Sequence, residues 1–121
     1  MRTYIYGDGL IMASMAIDIV KTYRQEKGSH ALIELPPGWF DLAQESIREM
    51  QLEDGGLISQ EALSAIRSLE LLSDLRIHKV LKGAISDAYR KDPMHENDFF
   101  TAKEARLYRN IVSGIREIRG D

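Results

Sequence analysis

The chain of 121 residues contains no cysteine. That excludes a disulfide framework, thiolate zinc sites and a cysteine nucleophile together. Proline is scarce too, with Pro36, Pro37 and Pro93 the only three, so helices are free to run long between the few breaks. No stretch approaches the roughly eighteen consecutive apolar residues of a membrane span. The N-terminus MRTYIYGDG lacks the basic start, apolar core and small-residue cleavage site of a signal peptide. The expectation is therefore a cytoplasmic chain with no membrane contact.

What is present is ordinary for a helix-rich globular domain, with 44% hydrophobic and 29% charged residues. The length fits one domain that buries a core without staples. The net charge of −3 conceals an asymmetry: residues 1–75 carry 6 Lys/Arg against 12 Asp/Glu, and residues 76–119 carry 10 against 6. An acidic chain is poorly suited to tight sequence-independent DNA binding, which depends on neutralising phosphates. Its basic second half still suits a weak DNA contact or an acidic partner.

The longest proline-free amphipathic stretch is Ser59 to Arg90. Ser59 suits an N-cap, Glu61 the first turn, and Asp92-Pro93 follows the end. One face reads Ala62, Leu63, Ile66, Leu69, Ser73, Ile77, Val80, Leu81, Ala84 and Ala88, and is expected to be the core face. Leu71, Leu72 and Leu75 point elsewhere, so the middle of the helix is apolar nearly all round and is expected to contact another subunit. Arg76, Lys79, Lys82 and Arg90 continue that sector as a basic stripe, read as a partner or nucleic-acid surface together with Arg106 and Arg109.

Before the long helix, Arg2 to Tyr6 with Gly7-Asp8-Gly9 reads as a short strand and turn. A first helix is expected over about Ser14 to Lys27, with Met12, Met15, Ala16, Ile19, Val20 and Tyr23 inward and Gly28 as the stop. Pro36-Pro37 keeps residues 31–35 extended. A second helix starts near Gly38, with Phe40, Ala43, Ile47 and Met50 inward and Trp39 at the margin. After the long helix, the polar connection of residues 91–100 is long enough for the chain to turn back antiparallel. Thr101-Ala102-Lys103-Glu104 is a capping box. The helix it opens places Ala105, Tyr108, Ile111, Val112, Ile115 and Ile118 inward, and Arg106, Arg109 and Arg116 outward. The expected fold is all-α, a bundle of four main helices around a long central one.

Catalytic patterns are weak. His95-Glu96 lacks the second histidine of an HExxH site, no Glu-x-x-His pair is present, and Gly7-x-Gly9 is not continued to a phosphate-binding GxGxxG. Asp92, His95 and Asp98 fit a solvated loop better than a cation site. Paired carboxylates such as Glu45 and Glu49 fall on solvated faces, where nothing raises a pKa. Tyr89 and Tyr108 have the spacing of core residues rather than of stacking platforms for single strands. The chain reads as a non-enzyme without cofactor or metal.

Several segments in order resemble the archaeal GINS family of DNA replication proteins. They are Tyr23-Arg24-Gln25-Glu26-Lys27 with its Arg-x-Glu, Leu32-Ile33-Glu34-Leu35-Pro36 leading to Trp39-Phe40, and Arg76-Ile77-His78-Lys79-Val80. The last is the capped run Phe100-Thr101-Ala102-Lys103-Glu104-Ala105-Arg106-Leu107-Tyr108. The resemblance implies residues 1–13 as an N-terminal extension and 14–119 as a GINS-like helical domain. Residues 120–121 would then begin a linker to a small β domain that this chain does not include. It further implies a non-catalytic, nucleoid-associated scaffold that forms homo- or hetero-tetramers through helical domains. Such a scaffold bridges the MCM helicase to a RecJ-like protein, with links to primase and polymerase. The alternative is a helical nucleic-acid-binding regulator that uses the basic half.

Overall fold

A computed structural model describes residues 8–53 and 59–121, with side chains over 15–52 and 59–121. The described residues form four helices: α1 (Asp8–Lys27), α2 (Trp39–Glu53), α3 (Gln60–Ala88) and α4 (Ala102–Arg119). The described residues contain no strand, and none of these helices is long and apolar enough to cross a membrane. The strand expected over Arg2 to Tyr6 lies outside the described residues. Asp8 and Gly9, expected in a turn, instead open α1, which starts well before Ser14.

Local signals set the helix ends. Ser59 accepts from the Ala62 N–H and starts α3. The capping box at the head of α4 is complete: Thr101 Oγ1 accepts from the Glu104 N–H at 3.3 Å, and Glu104 Oε1 accepts from the Thr101 N–H at 2.9 Å. Gly120 closes α4 in the left-handed region at φ 81°, where a side chain would be strained.

Two apolar clusters lie along α3. The first joins Met15, Ala16 and Ile19 of α1, Trp39, Ala43, Ile47 and Met50 of α2, and Ala65, Leu69 and Leu72 of α3. The second joins Leu32, Val80, Ala84 and Tyr108, with Phe100, Leu107, Ile111 and Val112 half-buried against it. Thus α1 and α2 cover the first half of α3 and α4 covers the second half. Helix α4 packs on neither α1 nor α2.

The direction of α4 corrects the sequence reading. Glu104 in its first turn meets Arg76, and Arg116 near its end donates to the carbonyls of Asp87 and Arg90. Helix α4 is therefore parallel to α3, not antiparallel. The connection makes this possible by running back along α3: the Met94 and His95 N–H groups donate to Asp87, the His95 ring lies against Gly83, and the Phe99 carbonyl reaches Arg76. A Cβ at position 83 would sit 3.0 Å from His95 Cγ, so the glycine makes room for this return. A count of loop residues allows either direction, and the anchoring of the loop to Asp87 chooses between them.

The inward face of α3 is also rotated from the expected one. It runs through Ala65, Leu69, Leu72, Arg76, Val80, Gly83, Ala84 and Asp87. Ile77, expected inside, is 41% exposed, and Leu72, expected at a subunit contact, is fully buried in the chain's own core. Leu71 is exposed and Leu75 half-buried. Elsewhere Trp39 is buried rather than marginal, and Ile118, expected inside, is 89% exposed.

Candidate functional site

The register Leu69, Leu72, Val80, Ala84 runs directly through Arg76, four residues from both Leu72 and Val80. A charge at a core position must bring its counter-charges with it. Arg76 does so with all five of its N–H donors. Nε and Nη2 form a two-pronged contact with Glu104 at 2.8 Å each. Nη1 donates to Glu26 Oε1 at 2.5 Å and to the Ile33 carbonyl at 2.9 Å. Nη2 also donates to the Phe99 carbonyl at 2.8 Å. The side chains of Arg76 and Glu26 are wholly buried and Glu104 is 11% exposed.

Lys79, one turn on, extends the network. Its Nζ contacts Glu26 Oε2 at 2.6 Å and the carbonyls of Glu26 and Ser29 at 2.7 Å each, with Ala31 at 3.1 Å. A cation here also suits the negative end of the α1 dipole. The second oxygen of Glu26 takes the Ile33 N–H at 3.3 Å. One junction therefore ties together the end of α1, the connection to α2, the middle of α3, the return loop and the start of α4.

Protonation states follow from this packing. Burial pushes the Arg76 pKa down, but the contacts with Glu104 and then Glu26 outweigh it, and the net shift is upward. Burial pushes Glu104 up, while the Arg76 fork and the Thr101 N–H hold it below the usual carboxylate range. A second knot repeats the pattern one face-length further along α3. Asp87 is fully buried and accepts the Tyr108 hydroxyl at 2.6 Å and the Met94 and His95 N–H groups at 3.0 and 2.9 Å. Burial alone raises the Asp87 pKa, yet these donors bring it below its ordinary value. The Tyr108 phenol is pushed well above its ordinary value, first by burial and then by the Asp87 carboxylate that accepts its proton.

Arg76 and Lys79 are therefore not a partner surface. Arg76 is inside, and Lys79 keeps 15% side-chain exposure with its ammonium among four acceptors. Sequence reasoning placed them on a partner or nucleic-acid surface because they continue the sector of Leu72 and Leu75; the cue for the opposite reading was the uninterrupted core register on both sides of Arg76. Lys82, Arg90, Arg106 and Arg109 are exposed. Arg106 and Arg109 share the outer side of α4, Lys82 lies on α3, and Arg90 lies beyond the end of α3. Tyr108 is buried, and Tyr89 is exposed with the Arg119 guanidinium 4.4 Å above its ring. Among the described residues no three His, Asp or Glu side chains gather to hold a metal ion; His95 Nδ1 pairs with Asp98 at 3.0 Å.

The open surface of most interest is apolar. Helix α4 buries only Tyr108 completely, and Ile111, Val112 and Ile115 are half-buried. Arg116 ties one flank of α4 to Arg90, which leaves the Leu107, Gly114 and Ile118 flank on the side where α3 presents Ile77, Leu81 and Ile85. Ile77, Ile85 and Ile118 are 41%, 50% and 89% exposed. A Cβ at Gly114 would meet nothing within 4 Å. The result is an apolar strip along the α3–α4 seam.

Compared with family models, curated protein sequences and solved structures, the chain matches none of them. The functional reading rests on the residues and their geometry.

Proposed function

We propose that this chain is a non-catalytic scaffold subunit of the GINS kind. It assembles with further GINS subunits through its helical domain and bridges the MCM replicative helicase to a RecJ-like protein, with links to primase and polymerase. The observation that carries the reading is the α3–α4 apolar strip: Ile77, Ile85 and Ile118 stay open on a domain whose buried charges are all paired. Contiguous exposed apolar surface of this sort marks contact with another protein. A second observation favours the family. Glu26, Arg76, Lys79 and Glu104, which come from three separate segments of the resemblance, meet in one junction. Such a subunit acts by binding energy alone.

The contact moves from the leucine belt to this strip. Leu72 is spent on the core, and Leu71 remains exposed on α3. Light scattering on the purified chain is expected to give a mass above the 13.8 kDa of one copy, alone or mixed with candidate partner subunits. Ile85→Asp and Ile118→Asp, both at exposed positions, should return it to one copy with helical content unchanged. A strict monomer from micromolar to millimolar concentration, with and without partners, refutes the assembly. The nucleic-acid reading loses two of its six basic residues to the buried junction; salt-insensitive failure to bind DNA at low ionic strength would dismiss it.

A further inference from the structure

The apolar strip along the α3–α4 seam has a floor and two charged edges. Leu81, Leu107 and Ile111 are half-buried between the exposed Ile77, Ile85 and Ile118. Gly114 brings no side chain to this surface, which lets another backbone come close. On α3, Lys82 is the exposed neighbour of Ile85 one turn earlier; on α4, Lys103 stands one turn before Leu107, with Arg106 beside it. None of these three cations pairs with a carboxylate among the described residues. They do not serve α4 itself. Lys103 lies in the first turn, where the helix dipole favours an acid, and Lys103, Arg106 and Arg109 follow one another at three-residue spacing, where like charges repel. Between Arg76 and Ala88 the only carboxylate of α3 is Asp87, which is buried, and Glu104 of α4 is held by Arg76. The exposed carboxylates Asp74 and Glu117 stand only at the two ends of the strip. The return loop, with its acids, is anchored on the other side of the seam, at Gly83 and Asp87.

An apolar strip with basic edges selects its occupant by charge. Two copies set strip to strip would bring like-charged edges together, which disfavours a second copy as the occupant. A flat lipid surface would leave the half-buried floor uncovered, whereas the ridge of a helix enters the seam between two others. Lys103 to Glu117 spans roughly 21 Å at 1.5 Å rise per residue, the length of about four helical turns. We propose that the strip receives an amphipathic helix of a different, acidic partner protein, about fourteen residues long, whose apolar ridge is bordered on both edges by Asp or Glu. The inference rests on the reading of the strip as a protein contact, and names the chemistry of what covers it.

The probe is an acetylated, amidated peptide of about fourteen residues with leucine at i, i+3, i+4 and i+7 spacing and glutamate on either side of that face. Calorimetric titration of the whole chain should show saturable binding with a dissociation constant on the order of 10 μM, weakened about fivefold when salt is raised from about 0.05 to about 0.5 M. The same peptide with lysine in place of glutamate should give no saturation. Lys103→Glu combined with Arg106→Glu, both at exposed positions, should weaken the acidic peptide about tenfold, with helical content and thermal melting retained. Equal affinity for the lysine peptide, or unchanged affinity in the double variant, would overturn the assignment. So would tighter binding of the chain to phosphatidylserine vesicles or to oligothymidylate than to the acidic peptide. The assembly reading fails separately: a strict one-copy chain that binds the acidic peptide keeps this inference, and an assembling chain that ignores the peptide ends this inference alone.

Discussion

Replacing Arg76 with methionine tests the junction most directly. The stem still fits a buried site, but Glu26 and Glu104 lose their shared counter-ion and the Ile33 and Phe99 carbonyls lose their donor. Breaking a buried ion pair by removing one partner costs about 3–5 kcal/mol. Against a total stability of roughly 5–15 kcal/mol, that is a large share, and for a chain of this length it lowers the melting temperature by roughly 12–20 °C. Urea unfolding followed by far-UV circular dichroism reads the difference. Arg76→Lys should recover little, because a lysine has three donors and no planar fork for Glu104. Coupled replacement of Arg76, Glu26 and Glu104 by apolar residues of similar volume should recover much of the loss, since it removes stranded charges as well as the pair. A loss below about 1 kcal/mol in Arg76→Met, the size of an ordinary surface change, would refute a structural role for the junction.

Further outcomes follow from the same geometry. Glu104 and Asp87 have folded pKa values below their ordinary 4.5 and 3.8. Their stabilisation is therefore complete above those values and is lost as pH falls through the depressed folded ones, and acid titration of stability should be shallower in Arg76→Met. Tyr108 has a raised folded pKa, so its contribution is complete below its ordinary value of 10.0 and is lost at more alkaline pH; Tyr108→Phe should remove that alkaline loss and cost about 1–2 kcal/mol at neutral pH, read by urea unfolding. Gly114→Ala places its Cβ in open space within α4 and should stabilise by about 0.5–1 kcal/mol. Gly83→Ala should not show that gain, because its Cβ meets the His95 ring, and hydrogen exchange should quicken at Met94 and His95. Thr101→Ala removes the cap of α4 and should cost about 1 kcal/mol by thermal melting.

The sequence by itself determined what is local. The existence of the helices, and their ends other than the start of α1, followed from short-range chemistry: Ser59 and Thr101 as caps, Gly120 as the stop, and Pro36-Pro37 as the break between α1 and α2. The inward positions of α2, where Ala43, Ile47 and Met50 recur at helical spacing, were equally legible. Periodicity also placed apolar residues on α4, although it could not tell that Ile118 would find nothing to cover it.

What only the tertiary structure decided is where the charges go and which way α4 runs. A hydropathy pattern assigns Arg76 to solvent because its pairing partners lie far away in sequence, on α1 and at the head of α4. Once Arg76 and Asp87 are inside, the core face of α3 rotates, Leu72 turns inward and Ile77 and Ile85 turn out. Long-range ion pairs between residues tens of positions apart leave no period in the chain, and a loop's length does not say what it is tied to. The apolar strip has the same origin, because only the packing of α4 on α3 brings its side chains together.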